Sequence, residues 1–303
     1  MKAASAPPAG TAGKTAAQVM RQALPEQIER LQGLDAIAEP LQQLARRAIP
    51  QGSRLKEAAS GTWLGHPLHP PLTDVVVGSW TSAFLLDLGG GDTTAPAADA
   101  LVAIGVAAAL PTAATGLSDW AELRGGSRRL GAVHALGNVS ALTRHALSLL
   151  ARRGGRRGLG RALSASGYLI ASGSAWLGGH LSFSKGVGVN QTAFEAAPEE
   201  WTAVLDESEL GEDALVPARA DGTDVLLVRH GGTVYALADR CSHRGCALHE
   251  GTLTGEAIRC PCHGSTFRLD GSIVNGPATS PQPRFAARLH DGHVEIRSKP
   301  DAA

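Results

Sequence analysis

All four cysteines of the chain lie in two short segments of its C-terminal third, and each segment also contains a histidine. The first segment is CSHRGC at 241–246, and the second is CPCHGS at 260–265. Thiolate and imidazole groups so close in sequence are typical ligands of transition metals. A metal centre built from two loops requires a fold that brings both loops together, and this constrains the chain more than any other feature of its sequence.

Two kinds of metal centre accept two cysteines and two histidines. Zinc binds such a set tetrahedrally, whereas a [2Fe–2S] centre of the Rieske type has two cysteines on one iron and two histidines on the other. In zinc sites about two to four residues usually separate the first two ligands. Only Ser242 separates Cys241 from His243. The spacing therefore favours one sulfur and one nitrogen from each loop, on two adjacent irons.

Residues 201–298 resemble the Rieske [2Fe–2S] family, on the motifs CSHRGC, CPCHGS and GPATSP at 276–281. The resemblance implies a [2Fe–2S] cluster with two cysteines on the inner iron and two histidines on the outer iron, near the surface. These ligands would be Cys241 and Cys260, and His243 and His263.

The same resemblance implies residues that tune the cluster. Cys246 and Cys262 match the cysteines that form a disulfide in Rieske proteins of cytochrome bc complexes. Ser265 matches a serine that donates a hydrogen bond to a cluster sulfur, and such bonds raise the reduction potential. Phe267 stands where high-potential members have a tyrosine, and Pro277 belongs to the loop over the cluster. We therefore expect an intermediate potential.

Around these loops the sequence predicts a small antiparallel all-β domain. TDVLLVRHGGTVYALA at 223–238 alternates around a Gly-Gly turn, and HDGHVEIR at 290–297 repeats the arrangement around Asp-Gly. Both dipeptides favour the tight turns of β-hairpins. Short strands and frequent glycine extend this prediction over residues 201–298.

Four apolar stretches precede the β region, at 71–90, 98–117, 130–150 and 162–181. Each has the ~20 residues that cross a bilayer core, and all are rich in Ala, Gly and Ser, which lets membrane helices pack closely. Trp63, Trp120 and Trp176 fit an aromatic belt at one interface. The stretches predict a four-helix transmembrane bundle, and the alternative is a soluble, alanine-rich four-helix bundle.

Residues 60–190 resemble a family of uncharacterised four-helix bacterial membrane domains, on LGHPLHP at 64–70, TGLSDW at 115–120 and WLGGHLSFSKGVGV at 176–189. The resemblance implies a multi-pass protein of the bacterial inner membrane and supplies no activity. The predicted division of the chain is a disordered tail with amphipathic helices (1–60), the membrane domain (61–185), a linker (186–200) and the Rieske domain (201–298).

An up-down-up-down bundle would gather ionisable residues at the end from which the β domain emerges. These residues are His66, His69, Asp119, His134 and His180. Ionisable groups inside a membrane bundle point to function. They could bind haem b, another metal or a quinone, and the alternative is polar packing within the bundle.

The N-terminal segment and the charges of the chain bear on its cellular location and its partners. The N-terminal segment has no apolar run before a cleavage site, so we expect no secretory signal peptide. Lys and Arg together equal Asp and Glu, at 28 each, which gives no general argument for a nucleic-acid partner. Basic residues are more numerous on the side of the β domain, which favours a cytoplasmic Rieske domain. On the other side, five arginines are packed into one short loop at 152–161, and their density favours the reverse orientation.

These features predict a membrane-anchored electron-transfer protein rather than a stand-alone catalyst. It would exchange single electrons through the exposed edge of His243 or His263, with a redox partner protein or the quinone pool. One alternative is a ferredoxin-like donor to a separate oxygenase or reductase, with the bundle as an anchor among membrane lipids. Another is a redox sensor.

Overall fold

Four long helices follow the four apolar stretches. The first ends at Gly89, one residue before the end of its stretch, and the other three extend beyond theirs at both ends. The computed structural model describes residues 24–298. The first 23 residues of the segment 1–60, which is predicted as a disordered tail with amphipathic helices, lie outside the described residues. The helices are α1 (24–30), α2 (Asp35–Ala48), α3 (Arg54–Ser60), α4 (His69–Gly89), α5 (Ala95–Trp120), α6 (Gly125–Arg153) and α7 (Arg157–Phe183).

The long helices α4 to α7 pack as a closed bundle. Short turns join them, so that successive helices run antiparallel, and α4 and α6 each contact both α5 and α7. Glycines allow the helices to approach closely. A Cβ atom added at Gly105 of α5 would lie 2.2 Å from Nε1 of Trp80 on α4. Small residues therefore let neighbouring helices of this bundle pack closely, as the sequence predicts.

Helices α1 to α3 cover the end of the bundle where α5 passes into α6. The Gln42 side chain of α2 donates hydrogen bonds to the carbonyls of Trp120 and Leu123, at 2.8 and 3.0 Å. Arg129 Nη2 on α6 lies 2.6 Å from Asp35 Oδ2 on α2. These contacts attach the N-terminal helices to the turn between α5 and α6.

The bundle buries polar side chains and exposes large apolar ones. His145 and Ser148 are fully buried, and Ser164 is 1% exposed. Large apolar side chains on the outer surface include Leu85, Leu88, Ile104, Leu110, Leu136, Val139, Leu150 and Leu169. Among the described residues, one helix, α5, is long and apolar enough by composition to cross a membrane. The structure thus has the predicted helical domain, and its crossing of a membrane four times stays a prediction.

The C-terminal region is an antiparallel β domain of two sheets. The larger sheet has the strand order β1-β10-β9-β4-β3-β2, and the smaller one the order β5-β6-β7-β8. The strands are β1 (Thr202–Asp206), β2 (Leu215–Ala220), β3 (Thr223–His230), β4 (Thr233–Ala238), β5 (Thr252–Thr254), β6 (Ala257–Arg259), β7 (Thr266–Arg268), β8 (Ile273–Asn275), β9 (Arg284–His290) and β10 (His293–Arg297).

Both predicted hairpin turns are present. Gly231 and Gly232 join β3 to β4 with φ of 58° and 75°, and Asp291 and Gly292 join β9 to β10 with φ of 50° and 77°. Two successive residues with positive φ form the turn whose twist matches a hairpin. The apolar side chains Leu226, Leu237, Leu248, Ile258 and Phe267 pack beneath the cysteine loops in one core cluster with Cys241 and Cys260.

Candidate metal centre

The two cysteine loops have the same backbone hydrogen-bond pattern. The N–H of Cys241 donates to the carbonyl of Cys246 at 2.8 Å, and the N–H of Gly245 donates to Cys241 at 2.7 Å. In the second loop, the N–H of Cys260 donates to the carbonyl of Ser265 at 2.8 Å, and the N–H of Gly264 donates to the carbonyl of Cys260 at 3.2 Å. Gly245 and Gly264 both have positive φ, 71° and 78°, which glycine adopts without strain. The loops are therefore matching turns, one after β4 and one between β6 and β7.

The two cysteines without a disulfide lie side by side at the base of these loops. Cys241 is 1% exposed and Cys260 is 3% exposed, and their thiol groups form a hydrogen bond with each other. Contact with Cys260 and burial raise the pKa of Cys241, whereas contact with Cys241 lowers the pKa of Cys260. Backbone N–H groups of the residues that follow each cysteine donate to its sulfur. The lowered pKa favours the thiolate form at Cys260, and the pair therefore presents one thiolate and one thiol that shares a hydrogen bond with it.

The two histidines of the loops lie closer to the surface. The ring centroids of His243 and His263 are 5.1 Å apart, and the rings are nearly perpendicular. Burial lowers the pKa of His263 to about 4 and also lowers the pKa of His243. Both imidazoles are therefore neutral near pH 7, which is the form that binds a metal.

The donor set fits a [2Fe–2S] cluster. Two sulfur donors lie on the buried side of the site and two nitrogen donors on the outer side, as the two unlike irons of such a centre require. The predicted disulfide joins Cys246 to Cys262, with 2.08 Å between the sulfurs, and links the two loops.

The predicted tuning residues surround the same site. Ser265 is fully buried, and its Oγ accepts a hydrogen bond from the N–H of Ala278 at 3.0 Å. The hydroxyl hydrogen of Ser265 is therefore free to point elsewhere. Phe267 is fully buried in the core and carries no hydroxyl. Pro277 lines a cleft next to His243.

Sequence reasoning missed a group of residues from the helical domain that contacts this site. Glu122, in the turn between α5 and α6, places Oε2 3.1 Å from Nε2 of His243. Its other oxygen, Oε1, lies 2.5 Å from Nζ of Lys56 on α3. No local motif marks either residue, although Glu122 closely follows the TGLSDW segment.

Glu122 and Lys56 form a buried ion pair. The side chains are 1% and 2% exposed. Burial alone raises the pKa of Glu122, but the hydrogen bond from His243 and the hydrogen bond and charge of Lys56 outweigh it and hold the pKa well below its usual range. The Glu122 carboxylate is therefore ionised beside a candidate ligand.

A polar cleft between the domains opens next to His243. It is lined by the helical residues Ser60, Pro67, Asp119 and Glu122, the linker residues Gly188, Val189 and Asn190, and the β-domain residues Ser242, His243, Arg244, Pro277, Thr279 and Ser280. Asp119 is thus placed near the candidate metal centre.

The predicted histidines of the bundle have partners within it. Nδ1 of His69 lies 3.0 Å from the carbonyl of Thr112, and Nδ1 of His134 lies 2.7 Å from the carbonyl of Ser174. His66 is exposed, and His180 lies beside Trp176 at 6.2 Å between ring centroids. Among residues 24–298, no three of His66, His69, Asp119, His134 and His180 bring ligand atoms within 4.8 Å of one another. The second cofactor site, for haem b or a quinone, stays a prediction.

Two family models match the chain. The model described as Rieske [2Fe–2S] domain matches residues 200–286, and the model described as predicted membrane protein (DUF2231) matches residues 65–191. Each match coincides with one of the two structural regions.

Curated relatives match the β domain. Ferredoxin CarAc of Metapseudomonas resinovorans is 33% identical over 98 residues, which are 32% of this chain and 92% of that protein. The cytochrome b6-f complex iron-sulfur subunit of Chlorobaculum tepidum is 35% identical over 72 residues, which are 24% of this chain and 39% of that protein. The corresponding subunit of Chlorobaculum thiosulfatiphilum is 30% identical, over 30% of this chain and 54% of that protein. The chain thus spans about half or less of the two b6-f subunits.

Proposed function

We propose that the protein is a membrane-anchored carrier of single electrons. Its C-terminal domain belongs to the Rieske [2Fe–2S] family, and its helical domain matches the model described as predicted membrane protein (DUF2231). One observation carries the proposal. Matched loops bring two buried thiols and two neutral imidazoles to one site. A bound [2Fe–2S] cluster supplies one-electron exchange at such a site.

The ligand roles follow from burial. Cys241 and Cys260 would hold the inner iron, because their sulfurs lie in the core and receive backbone N–H groups. His243 and His263 would hold the outer iron, because their rings lie nearer the surface. The disulfide between Cys246 and Cys262 would keep the loops together.

His263 is the better route for exchange with an external partner. One ring nitrogen of His243 is engaged by Glu122, and its side chain is 16% exposed. His263 is half-buried and lies beside the exposed Cys262. A partner protein would therefore approach the centre over His263 and the disulfide.

The anchoring role rests on the surface of the bundle. Leu88 on α4, Leu110 on α5, Leu150 on α6 and Leu169 on α7 are 69%, 63%, 63% and 67% exposed. Such a surface on all four helices suits a lipid environment better than water. Buried His145, Ser148 and Ser164 suit it as well, since polar groups of membrane bundles face inward. We expect a multi-pass protein of the bacterial inner membrane, with the β domain in the cytoplasm.

A second candidate function is that of a ferredoxin-like donor to a separate enzyme. The match that covers 92% of ferredoxin CarAc favours it. In that case the bundle anchors the carrier and the acceptor is a soluble protein. Ser265 argues for a raised reduction potential and Phe267 for a lower one, so the intermediate potential predicted from the sequence is compatible with either function.

An electron paramagnetic resonance experiment separates these functions. Purified full-length protein is reduced first with ascorbate and then with dithionite. A Rieske signal with ascorbate would mean that the reduction potential of the centre lies in the range where quinols donate electrons. A signal with dithionite alone favours the ferredoxin-like role. Protein that contains iron and sulfide but gives no Rieske signal would contradict the proposed ligands.

A further inference from the structure

The Glu122 carboxylate divides its two oxygen atoms between the two domains. Oε1 faces donors of the helical domain: Nζ of Lys56 at 2.5 Å and Nε2 of Gln51 at 3.1 Å. Oε2 faces the β domain: Nε2 of His243 at 3.1 Å and Nε of Arg244 at 3.9 Å. One carboxylate thus connects a lysine of α3 to a loop of the candidate metal centre.

Lys56 is buried beside that carboxylate and is bound to the end of α5. Its side chain is 2% exposed, and its ammonium group donates to the carbonyl and the hydroxyl of Ser118, both at 2.9 Å. A buried ion pair contributes little net stability compared with an apolar pair of the same size. The presence of both charges at the domain boundary therefore points to an effect on the loop of the candidate centre that lies across that boundary.

Two further contacts hold loops of the same centre, one from the helical domain and one from the linker. Thr62 Oγ1 donates to the carbonyl of Ala278 at 3.2 Å, and the N–H of Gln191 donates to the carbonyl of Ser242 at 2.9 Å. Thr62 also packs against Gly276, where an added Cβ would lie 2.1 Å from Thr62 Oγ1. These contacts hold the β domain on the helical domain with His243 facing Glu122.

We propose that Glu122 is a positioning residue through which the helical domain acts on the cluster: its carboxylate orients His243 and lowers the reduction potential of the centre. The inference rests on the proposed function, because it requires a cluster bound to His243. A negative charge near the centre stabilises the oxidised, more positive state. Lys56 holds that charge in place and partly offsets it.

The test is the reduction potential of full-length protein at one fixed pH, measured by a redox titration followed by electron paramagnetic resonance. Glu122→Gln removes the charge and keeps the shape. The double change Glu122→Gln with Lys56→Met removes both charges and leaves no unpaired lysine. Asp213→Asn is the matched control, because Asp213 also pairs with a histidine, His230 at 2.6 Å, on the surface of the same domain.

We expect the potential to rise most in Glu122→Gln, to rise less in the double variant and to equal that of the unmodified protein in the control. The spectrum should change in line shape for the two Glu122 variants alone, since the orientation of His243 changes.

Unchanged potentials in both Glu122 variants with full iron content would overturn the inference. Loss of iron from both variants would also overturn it, because Glu122 would then be a structural residue only. The proposed function fails separately: in that case the unmodified protein itself gives no Rieske signal.

Discussion

The two regions of this molecule distribute polar and apolar side chains in opposite ways. In the β domain, Val225, Leu226, Leu227 and Val228 are all fully buried along one strand. In the bundle, the fully buried residues include His145 and Ser148, while leucines on every helix are exposed. The β domain therefore buries its apolar side chains, whereas the bundle buries polar side chains and exposes leucines.

The difference agrees with the proposal that the bundle faces lipid and the β domain faces water. In water, burial of apolar surface stabilises a fold by about 25 cal/mol per Å². Between lipid chains that driving force between helices is absent, and close packing and polar contacts replace it. The bundle has such contacts: Arg152 on α6 binds Asp87 on α4 and lies 2.7 Å from Asp99 on α5.

The largest expected effect is that of Cys260→Ser on the β domain. Serine does not replace a thiolate as a ligand of the inner iron, so we expect complete loss of the Rieske signal and of bound iron. The bundle should keep its helical circular dichroism, because its packing does not depend on the cluster. A collapse of the helical signal as well would show that the two regions are not separate in stability.

Arg152→Ala should destabilise the bundle by about 3–5 kcal/mol, because it removes the close partner of the buried Asp87 carboxylate and leaves only Arg161, whose Nε lies 3.5 Å away. Arg153→Ala is the control, since Arg153 is the exposed neighbour on the same helix. The free energy of unfolding in detergent, followed by circular dichroism, measures the effect. Equal values for the two variants would mean that the polar interior contributes nothing to the bundle.

Ile104→Arg tests which solvent faces the bundle. Ile104 lies near the middle of α5 and is 50% exposed. An arginine at the centre of a membrane helix costs about 2.5–3.5 kcal/mol on insertion scales, whereas an exposed position in a soluble bundle tolerates it within about 0.5 kcal/mol. A glycosylation-reporter insertion assay measures the difference.

Leu289→Arg provides the comparison for that change in the β domain. Leu289 is 40% exposed, and we expect its replacement to leave the free energy of unfolding nearly unchanged. If Ile104→Arg inserts as well as the unmodified α5, the contrast between the two regions is wrong.

The smallest effect concerns pH and the surface of the β domain. The hydrogen bond to Asp213 raises the pKa of His230 above its ordinary value of about 6.5. The stabilisation is therefore fully present below about pH 6.5 and is lost as the pH rises through the folded-state pKa. Urea unfolding between about pH 6 and pH 8 should show a small decrease in stability that Asp213→Asn removes and Asp221→Asn retains. An unchanged slope in Asp213→Asn would assign the pH dependence to other groups.

Local patterns predict those parts of the structure that depend on neighbours in sequence. The Gly-Gly and Asp-Gly turns predict both hairpins because the required backbone conformation belongs to those residues. The apolar stretches predict the four helices but not their ends. Helix α6 begins at Gly125, before its apolar stretch, because Arg128 and Arg129 in its first turns pair with Asp35 of α2.

The ion pair at the domain boundary could not be predicted in this way. Glu122, Lys56 and His243 are far apart in sequence, and each is an ordinary polar residue in its own segment. Only the packing of the β domain on the helical domain brings them together. The clustered Cys and His residues, by contrast, identify the candidate centre because all its donors lie in two short loops.

The most direct test of a membrane-anchored Rieske carrier is an electron paramagnetic resonance spectrum of membranes that contain the full-length protein, washed with alkaline carbonate and then reduced. The account predicts a Rieske signal that stays in the washed membranes and is absent from the supernatant. A Rieske signal in the supernatant would contradict the membrane anchor, and iron-containing membranes without the signal would contradict the cluster.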